Sequence, residues 1–412
     1  MDKLPHLDGE QLLEDLHTLA QFGRSAAGGL NRIGYSTADL EARQWVIGQL
    51  EALGLQVRVD AAGNTIATYA GTADLPPIAL GSHTDTVPEG GDYDGSLGVL
   101  SALAAVRALK TAEMRLRHPV EIINFAAEEA TLAGGTTGSQ AMVGRYNAAT
   151  FDKAAWDGRP VRTHLQEAGL DLEAFMQAGR PQGSLAAFVE LHIEQGDRLI
   201  AAERQIGIVE GIVSIRRYAV VFDGYANHAG TTPMDRRQDA LVAAAPFITF
   251  VHDTAVKYGI VGTIGQLTVL PGAPNVIPGK VSLIVEIRGL EAAVLDQAAQ
   301  EMAAWMANVA GSFTLVVDKP AVQSDPRLLK AMIAACEQLG LSYELMPSGA
   351  GHDAMNLSYI CPQGMLFVPS QGGVSHSPDE YTKPEDCING AQILLATLVA
   401  LDEMLGETEV AP

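Results

Sequence analysis

The chain has 412 residues, 47% apolar and 18% charged, enough for more than one hydrophobic core and so for two domains. Its 27 basic against 49 acidic residues give a formal charge of -22, which repels phosphate backbones and anionic lipid headgroups and argues against nucleic acid or a membrane as partner. An anionic substrate is repelled at long range too, so a site for one must carry its own arginine.

In chain order, apolar residues at helical spacing between Asp8 and Phe22 predict a first helix. Ser36 with Asp39 forms a capping box for a second that stops at Gly54. Strands are expected at Leu55 to Val59, Asn64 to Tyr69 and Pro77 to Leu80. A small-residue helix from Ser96 to Leu109 leads to strands at Val120 to Ala126 and Ala187 to His192. Strands alternating with helices predict an α/β sheet with functional loops at the strand ends.

From about Ile208 to Lys319 the rhythm changes. Strand (Arg216 to Phe222), helix (Asp239 to Tyr258), two strands (Gly262 to Val269, Lys280 to Arg288), helix (Ala292 to Val309) and strand (Phe313 to Val317) make a βαββαβ, ferredoxin-like order. A helix near Arg327 to Gly340 and a strand at Met365 to Val368 resume the first pattern. The expected domains are therefore 1–207 with 320–412, and an inserted domain at 208–319.

The three cysteines, Cys336, Cys361 and Cys387, have no metal-type spacing, and an odd count suits a reducing, cytoplasmic compartment. The N-terminus lacks an apolar signal core and no run approaches 18 apolar residues, so no targeting or anchoring segment is expected.

Four segments place histidines or carboxylates where a predicted strand ends: GSHTDTVPEGGDYDG (81 to 95), NFAAEE (124 to 129), ELHIEQG (190 to 196) and GGVSHSP (372 to 378). A single strand-end histidine is more often structural than a ligand, and His6, His17, His118, His164 and His252 need no such role. His83 and Asp85 leave their strand on one face, so Asp85 can hold the imidazole tautomer through its carboxylate. Asp94 stands before Gly95 at a helix start, either as an N-cap or as a ligand. Glu128 and Glu129 are either a solvated strand end or a pair that needs a cation nearby.

These segments, together with Arg24, GGLNRIGYS, DAAGNTIA, NHAGTTPM, PNVIPG, SGAGHDA and SHSPDEYT, resemble over nearly the whole chain the amidase branch of the dinuclear zinc aminoacylase and carboxypeptidase family. That branch holds N-carbamoyl-L-amino acid hydrolases, β-ureidopropionases and allantoate amidohydrolases. The resemblance implies that His83, Asp94 and His192 bind one metal, with Asp94 bridging to a second held by Glu129 and His376. Mixed histidine and carboxylate ligands suit zinc, with manganese, cobalt or nickel as alternatives. Glu128 is then the general base.

The resemblance also implies that His228 of NHAGTTPM faces the developing oxyanion, reaching across from the partner subunit of a homodimer formed through the inserted lid. Asn275 and Arg288 hold the substrate carboxylate. Read without the resemblance, Arg288 is a strand-end surface residue, and His228 and Asn275 are turn residues. Gln195, Gly351 and Gly373 are expected to line the pocket, and His352 and Asp353 are pocket or structural loop residues. One departure concerns the segment after the glutamate pair. It reads ATLAGGTTGS, shorter than the family's Gly-Ser-Arg-Phe version and without its arginine and aromatic.

The implied fold is an α/β metallopeptidase-like catalytic domain with an inserted βαββαβ lid and dimerisation domain. The implied activity is hydrolysis of a ureido or carbamoyl bond in an N-carbamoyl amino acid, N-carbamoyl-β-alanine, allantoate or ureidoglycolate, releasing ammonia. The competing readings are peptide or N-acyl amino acid hydrolysis on the same metals, and a non-catalytic amino-acid-binding relative. Against the first, the peptidase branches place a carboxylate where this chain has His192. Against the second, a mere binder has no reason to keep Glu128 beside five ligands.

Overall fold

The computed structural model describes residues 4–407. Helix α1 (Gly9–Leu19) starts where the Asp8 carboxylate accepts the Gln11 N–H, and buries Leu12, Leu16 and Leu19 at helical spacing. Helix α2 (Thr37–Ala52) follows the Ser36 cap. The Asp39 carboxylate does not complete the expected capping box; it accepts the Tyr35 N–H and binds Arg43. Next come β1 (Gln56–Val59), β2 (Thr65–Tyr69), β3 (Ile78–His83), α3 (Ser96–Thr111) and β4 (Val120–Phe125). Short helices α4 (Thr137–Met142), α5 (Val161–Glu167) and α6 (Leu172–Met176) precede β5 (Ala187–Ile193), α7 (Arg198–Ala201) and β6 (Ile206–Ile212).

The chain then forms β7 (Ser214–Asp223), α8 (Ala240–Tyr258), β8 (Val261–Leu270), β9 (Lys280–Gly289), α9 (Ala292–Met306) and β10 (Gly311–Lys319). It returns through β11 (Val322–Gln323), α10 (Pro326–Leu339), β12 (Tyr343–Ser348), α11 (Asp353–Leu357), β13 (Gln363–Val368) and α12 (Pro384–Glu407).

Two compact units result: Gly211–Gln323, and the described residues on either side of it. The boundaries lie a few residues beyond 208 and 319, because β6 and β11 stay paired at Ile212 with Val322 and Gly211 with Gln323. A nine-stranded sheet runs β1-β2-β4-β3-β5-β13-β6-β11, with β12 also on β6. Its centre is parallel: β4 with β3, β3 with β5, β5 with β13. Every residue of β3, β4, β5 and β13 is buried, as strands covered on both faces must be, which explains why they are mainly apolar and do not alternate with solvent-facing residues. Helix α3 buries nearly its whole length, and small residues such as Gly98 let it approach the Leu191 carbonyl and Ser82 closely. Parallel strands end together, so β3, β4, β5 and β13 deliver their following loops to one edge.

The unit Gly211–Gln323 has an antiparallel sheet in the order β10-β7-β9-β8. Alternate residues of β7 and β9, among them Tyr218, Val220, Phe222, Val281, Leu283, Val285 and Ile287, form a core with Phe247 and Val251 of α8 and Leu295 and Met302 of α9. Among the described residues, α8 and α12 are long and apolar enough to cross a membrane by length and composition. Each lays apolar residues into its own unit's core.

Candidate metal centre

The strand ends bring five side chains of the first unit together. His83 is the last residue of β3, and in the loop that follows Asp94 turns back towards it. Gly95 makes that return possible: its φ is +62°, and a Cβ there would lie 2.5 Å from the His83 ring. The helix start at α3 has no side-chain cap, so the Asp94 carboxylate is not an N-cap. Its Oδ1 lies 3.4 Å from His83 Nε2 and 3.3 Å from His192 Nε2. Its Oδ2 lies 3.5 Å from His376 Nε2, which is 3.6 Å from Glu129 Oε1. One carboxylate therefore presents a different oxygen to each of two ligand groups, His83–Asp94–His192 and Asp94–Glu129–His376.

The backbone orients the imidazoles of His83 and His192. His83 Nδ1 is 3.0 Å from the Asp85 carbonyl oxygen and His192 Nδ1 is 2.9 Å from that of Ile193. Each Nδ1 must carry the proton to make that bond, so Nε2, on the Asp94 side, is the nitrogen whose lone pair an ion can take. The expectation that the Asp85 carboxylate holds the His83 tautomer is corrected here: that carboxylate is 3.7 Å from Nδ1, and the carbonyl does the holding. The carboxylate has another task, Oδ1 accepting the Glu128 N–H at 3.0 Å and Oδ2 the Glu129 N–H at 3.1 Å. Asp85 thus fixes the backbone of both glutamates.

Glu128 belongs to neither ligand group, yet its Oε2 lies 3.8 Å from His83 Nε2. Burial, together with Asp353, Glu129 and Asp85, holds its carboxyl well above the usual range despite His83. Glu129 is raised likewise by burial and by Asp94. Burial disfavours the His83 cation, but Glu128, Asp94 and Asp85 outweigh it and raise its pKa. Without a cation both glutamates are therefore held towards the protonated form. Divalent ions at the two groups would favour the charged carboxylates, and the donors fit them: ligands about 2.0–2.1 Å from a tetrahedral ion lie roughly 3.3–3.4 Å apart, close to the separations around Asp94 Oδ1.

The remaining expected pocket residues of this unit divide by role. Gln195 donates from Nε2 to Asp94 Oδ2 at 2.6 Å, so its amide serves the carboxylate shared by the two candidate groups. Gly373, at φ +66°, follows β13, and Gly351 precedes α11. His352 is buried against the His192 ring at 4.6 Å with Nε2 2.9 Å from Ser348 Oγ, and burial keeps it neutral. Asp353 is buried and accepts the Ser139 hydroxyl at 2.5 Å.

In the other unit His228 is exposed and its Nδ1 accepts the Gly230 N–H at 3.0 Å, so Nε2 carries the proton and can donate. The Ala229 N–H donates to the Asn275 carbonyl at 2.9 Å and His228 bridges Val276, which sets the two turns side by side. The Arg237 guanidinium ties the turn down through the Ala229 and Thr232 carbonyls. Arg288 lies on β9 with Nε 2.8 Å from Glu286 Oε1.

The sequence from residue 79 to 400 matches the family model "Peptidase family M20/M25/M40". The chain belongs to this family. It is 38% identical over 401 residues to an N-carbamoyl-L-amino acid amidohydrolase of Geobacillus stearothermophilus, covering 95% of this chain and 98% of the relative. An allantoate amidohydrolase of Bacillus subtilis is 36% identical, covering 93% and 95%. A crystal structure of a putative amidohydrolase/peptidase from Burkholderia cenocepacia superimposes with a TM-score of 0.87 at 33% identity, over 97% of this chain and 100% of that one. Peptidase family M20/M25/M40 depends on two metal ions, and the two ligand groups match that number.

The sequence reading overlooked two members of the site. Glu190 accepts the Ser82 hydroxyl at 2.8 Å and the Ala354 N–H at 2.9 Å, behind His192 on the same strand. Glu380 accepts the Tyr93 and Asp94 N–H groups. Both lie inside motifs already singled out, ELHIEQG and SHSPDEYT, two and four residues from a histidine ligand.

Proposed function

We propose that this chain hydrolyses the ureido or carbamoyl amide of a small carboxylate, releasing ammonia, carbon dioxide and the parent amine. The observation that carries this reading is the bridging carboxylate Asp94 between two ligand groups, with Glu128 beside them and outside both. The names of the relatives supply the bond: one cleaves an N-carbamoyl amino acid and another allantoate.

In this account His83, Asp94 and His192 hold one divalent ion and Asp94, Glu129 and His376 the other, zinc first, with manganese, cobalt or nickel as alternatives. When bound, the pair supplies an acidified water and polarises the scissile carbonyl. Glu128 takes the proton of the attacking water and returns it to the leaving nitrogen, a role for which its backbone is fixed by Asp85. His228 donates from Nε2 to the developing oxyanion, and Asn275 and Arg288 bind the substrate carboxylate in two places. Gln195, Gly351 and Gly373 line the pocket.

The same reading makes the enzyme a homodimer through the βαββαβ unit, with the oxyanion donor being His228 of the partner subunit. A cytoplasmic location is supported by three cysteines that are free and buried. The test is an ammonia-release screen of N-carbamoyl amino acids, N-carbamoyl-β-alanine, allantoate and ureidoglycolate, run beside dipeptides and N-acetyl amino acids with zinc or manganese added. Turnover of a ureido compound is expected. Turnover confined to peptides or acetyl compounds refutes the proposed bond.

A further inference from the structure

His376 differs from the other histidine ligands. His83 and His192 sit on buried central strands, whereas His376 lies in the loop after β13, its side chain is 48% exposed and its φ is +55°, in the left-handed region that residues other than glycine avoid. Neither a strand nor a helix fixes its direction. Something else must, if it is to meet Asp94 and Glu129 at one point.

The side chain placed to do so is Glu380, which is only 5% exposed and makes contacts on both sides. Its Oε1 accepts the Tyr93 N–H at 2.9 Å and the Asp94 N–H at 3.0 Å. Its Oε2 is 2.9 Å from the Ser375 hydroxyl, which is also 3.0 Å from Asp94 Oδ2. The Glu380 N–H closes the loop on the Ser377 carbonyl at 3.1 Å. His376 is thus bracketed by Ser375, tied to the Glu380 carboxylate, and Ser377, tied to the Glu380 backbone N–H, and the same carboxylate holds the backbone of Asp94. Gly91 leaves room for it: a Cβ there would lie 2.3 Å from Glu380 Oε1.

We propose that Glu380 and Ser375 form a clip that assembles the second metal position, aligning His376 with Asp94 without touching the ion. Both are positioning residues, and the inference rests on the ligand assignment given above. The clip acts on the Asp94–Glu129–His376 group, while His83 and His192 keep their places on β3 and β5. Weakening it should therefore cost the second ion more than the first.

The experiment titrates metal-free protein with zinc against a competing chelator and reads ions bound per chain, alongside the melting temperature of the metal-free form. Ser375→Ala removes the hydroxyl link alone, and Gly91→Ala pushes Glu380 aside without touching a ligand. Each is expected to weaken the second ion at least tenfold and the first, which shares Asp94, by less, and Ser375→Ala is expected to leave the metal-free melting temperature near the parent value. Ser375→Thr, which keeps the hydroxyl, should restore the second ion. Parental binding of both ions in Ser375→Ala and Gly91→Ala overturns the clip, as does equal weakening of both ions. His376→Ala is the control on the underlying assignment: if it still binds two ions as the parent does, the second position itself is wrong and the clip falls with it.

Discussion

Asp85 gives the sharpest link between packing and chemistry. It is fully buried, and its two oxygens accept the N–H groups of Glu128 and Glu129 at 3.0 and 3.1 Å. Asp85→Asn preserves the shape but points an amide N–H₂ at one of those donors. A hydrogen bond to a charged group contributes about 1.5–3 kcal/mol, and a buried donor left unmet costs about 1–3 kcal/mol. One bond weakened and one lost come to roughly 2–4 kcal/mol. The freed backbone also lets Glu128 drift, and a misplacement of about 1 Å can cost on the order of a hundredfold in rate. Urea unfolding followed by tryptophan fluorescence measures the first effect. In a Trp305→Phe background the signal comes from Trp45 and Trp156, outside the Gly211–Gln323 unit. Steady-state kinetics at saturating metal measure the second. The expected result is an earlier urea midpoint together with a kcat lowered about a hundredfold. A variant with parental midpoint and parental kcat would refute the assignment of Asp85 as the anchor of the glutamate pair.

Glu128→Gln should keep both ions yet lose about 10²–10⁴-fold in kcat, because it removes a proton acceptor and no ligand; metal analysis and kinetics on one sample check this. His192→Ala, in contrast, should lose metal along with activity. Arg288→Lys replaces a two-pronged fork by a point charge and should raise KM for carboxylate substrates about tenfold with kcat little changed; unchanged KM removes the clamp. Co-expressed Glu128→Ala and His228→Ala chains, isolated as a mixed dimer, should regain about half the parental activity if His228 acts across subunits, and none if it acts within one chain.

The parallel core of the fold was legible because β3, β4, β5 and β13 are short, mainly apolar segments, the first three leading into a histidine or a glutamate pair. The βαββαβ unit was legible because β7 and β9 alternate inward and outward residues. Other parts were not. The short helices α4 to α6 are organised by contacts distant in sequence, such as Tyr146 with Phe175 and Ser139 with Asp353, which leave no local period. Strand β12 has mixed burial and no alternation to read. The candidate ligand histidines stand out by residue type and place. The groups that aim them do not: the partner of His83 Nδ1 is a carbonyl, which every residue has, and Asp85 spends its side chain on two amides instead. Glu380 joins segments nearly three hundred residues apart, a relation that only the folded chain displays.

The central claim is that two ions at these groups drive ureido hydrolysis. Its most direct test is to strip the protein with chelator, add zinc or manganese back in steps, and record ammonia release from the preferred ureido substrate against ions bound per chain. The account predicts no turnover in the stripped protein and full recovery only as the second ion binds. Undiminished ammonia release from the stripped protein would contradict it.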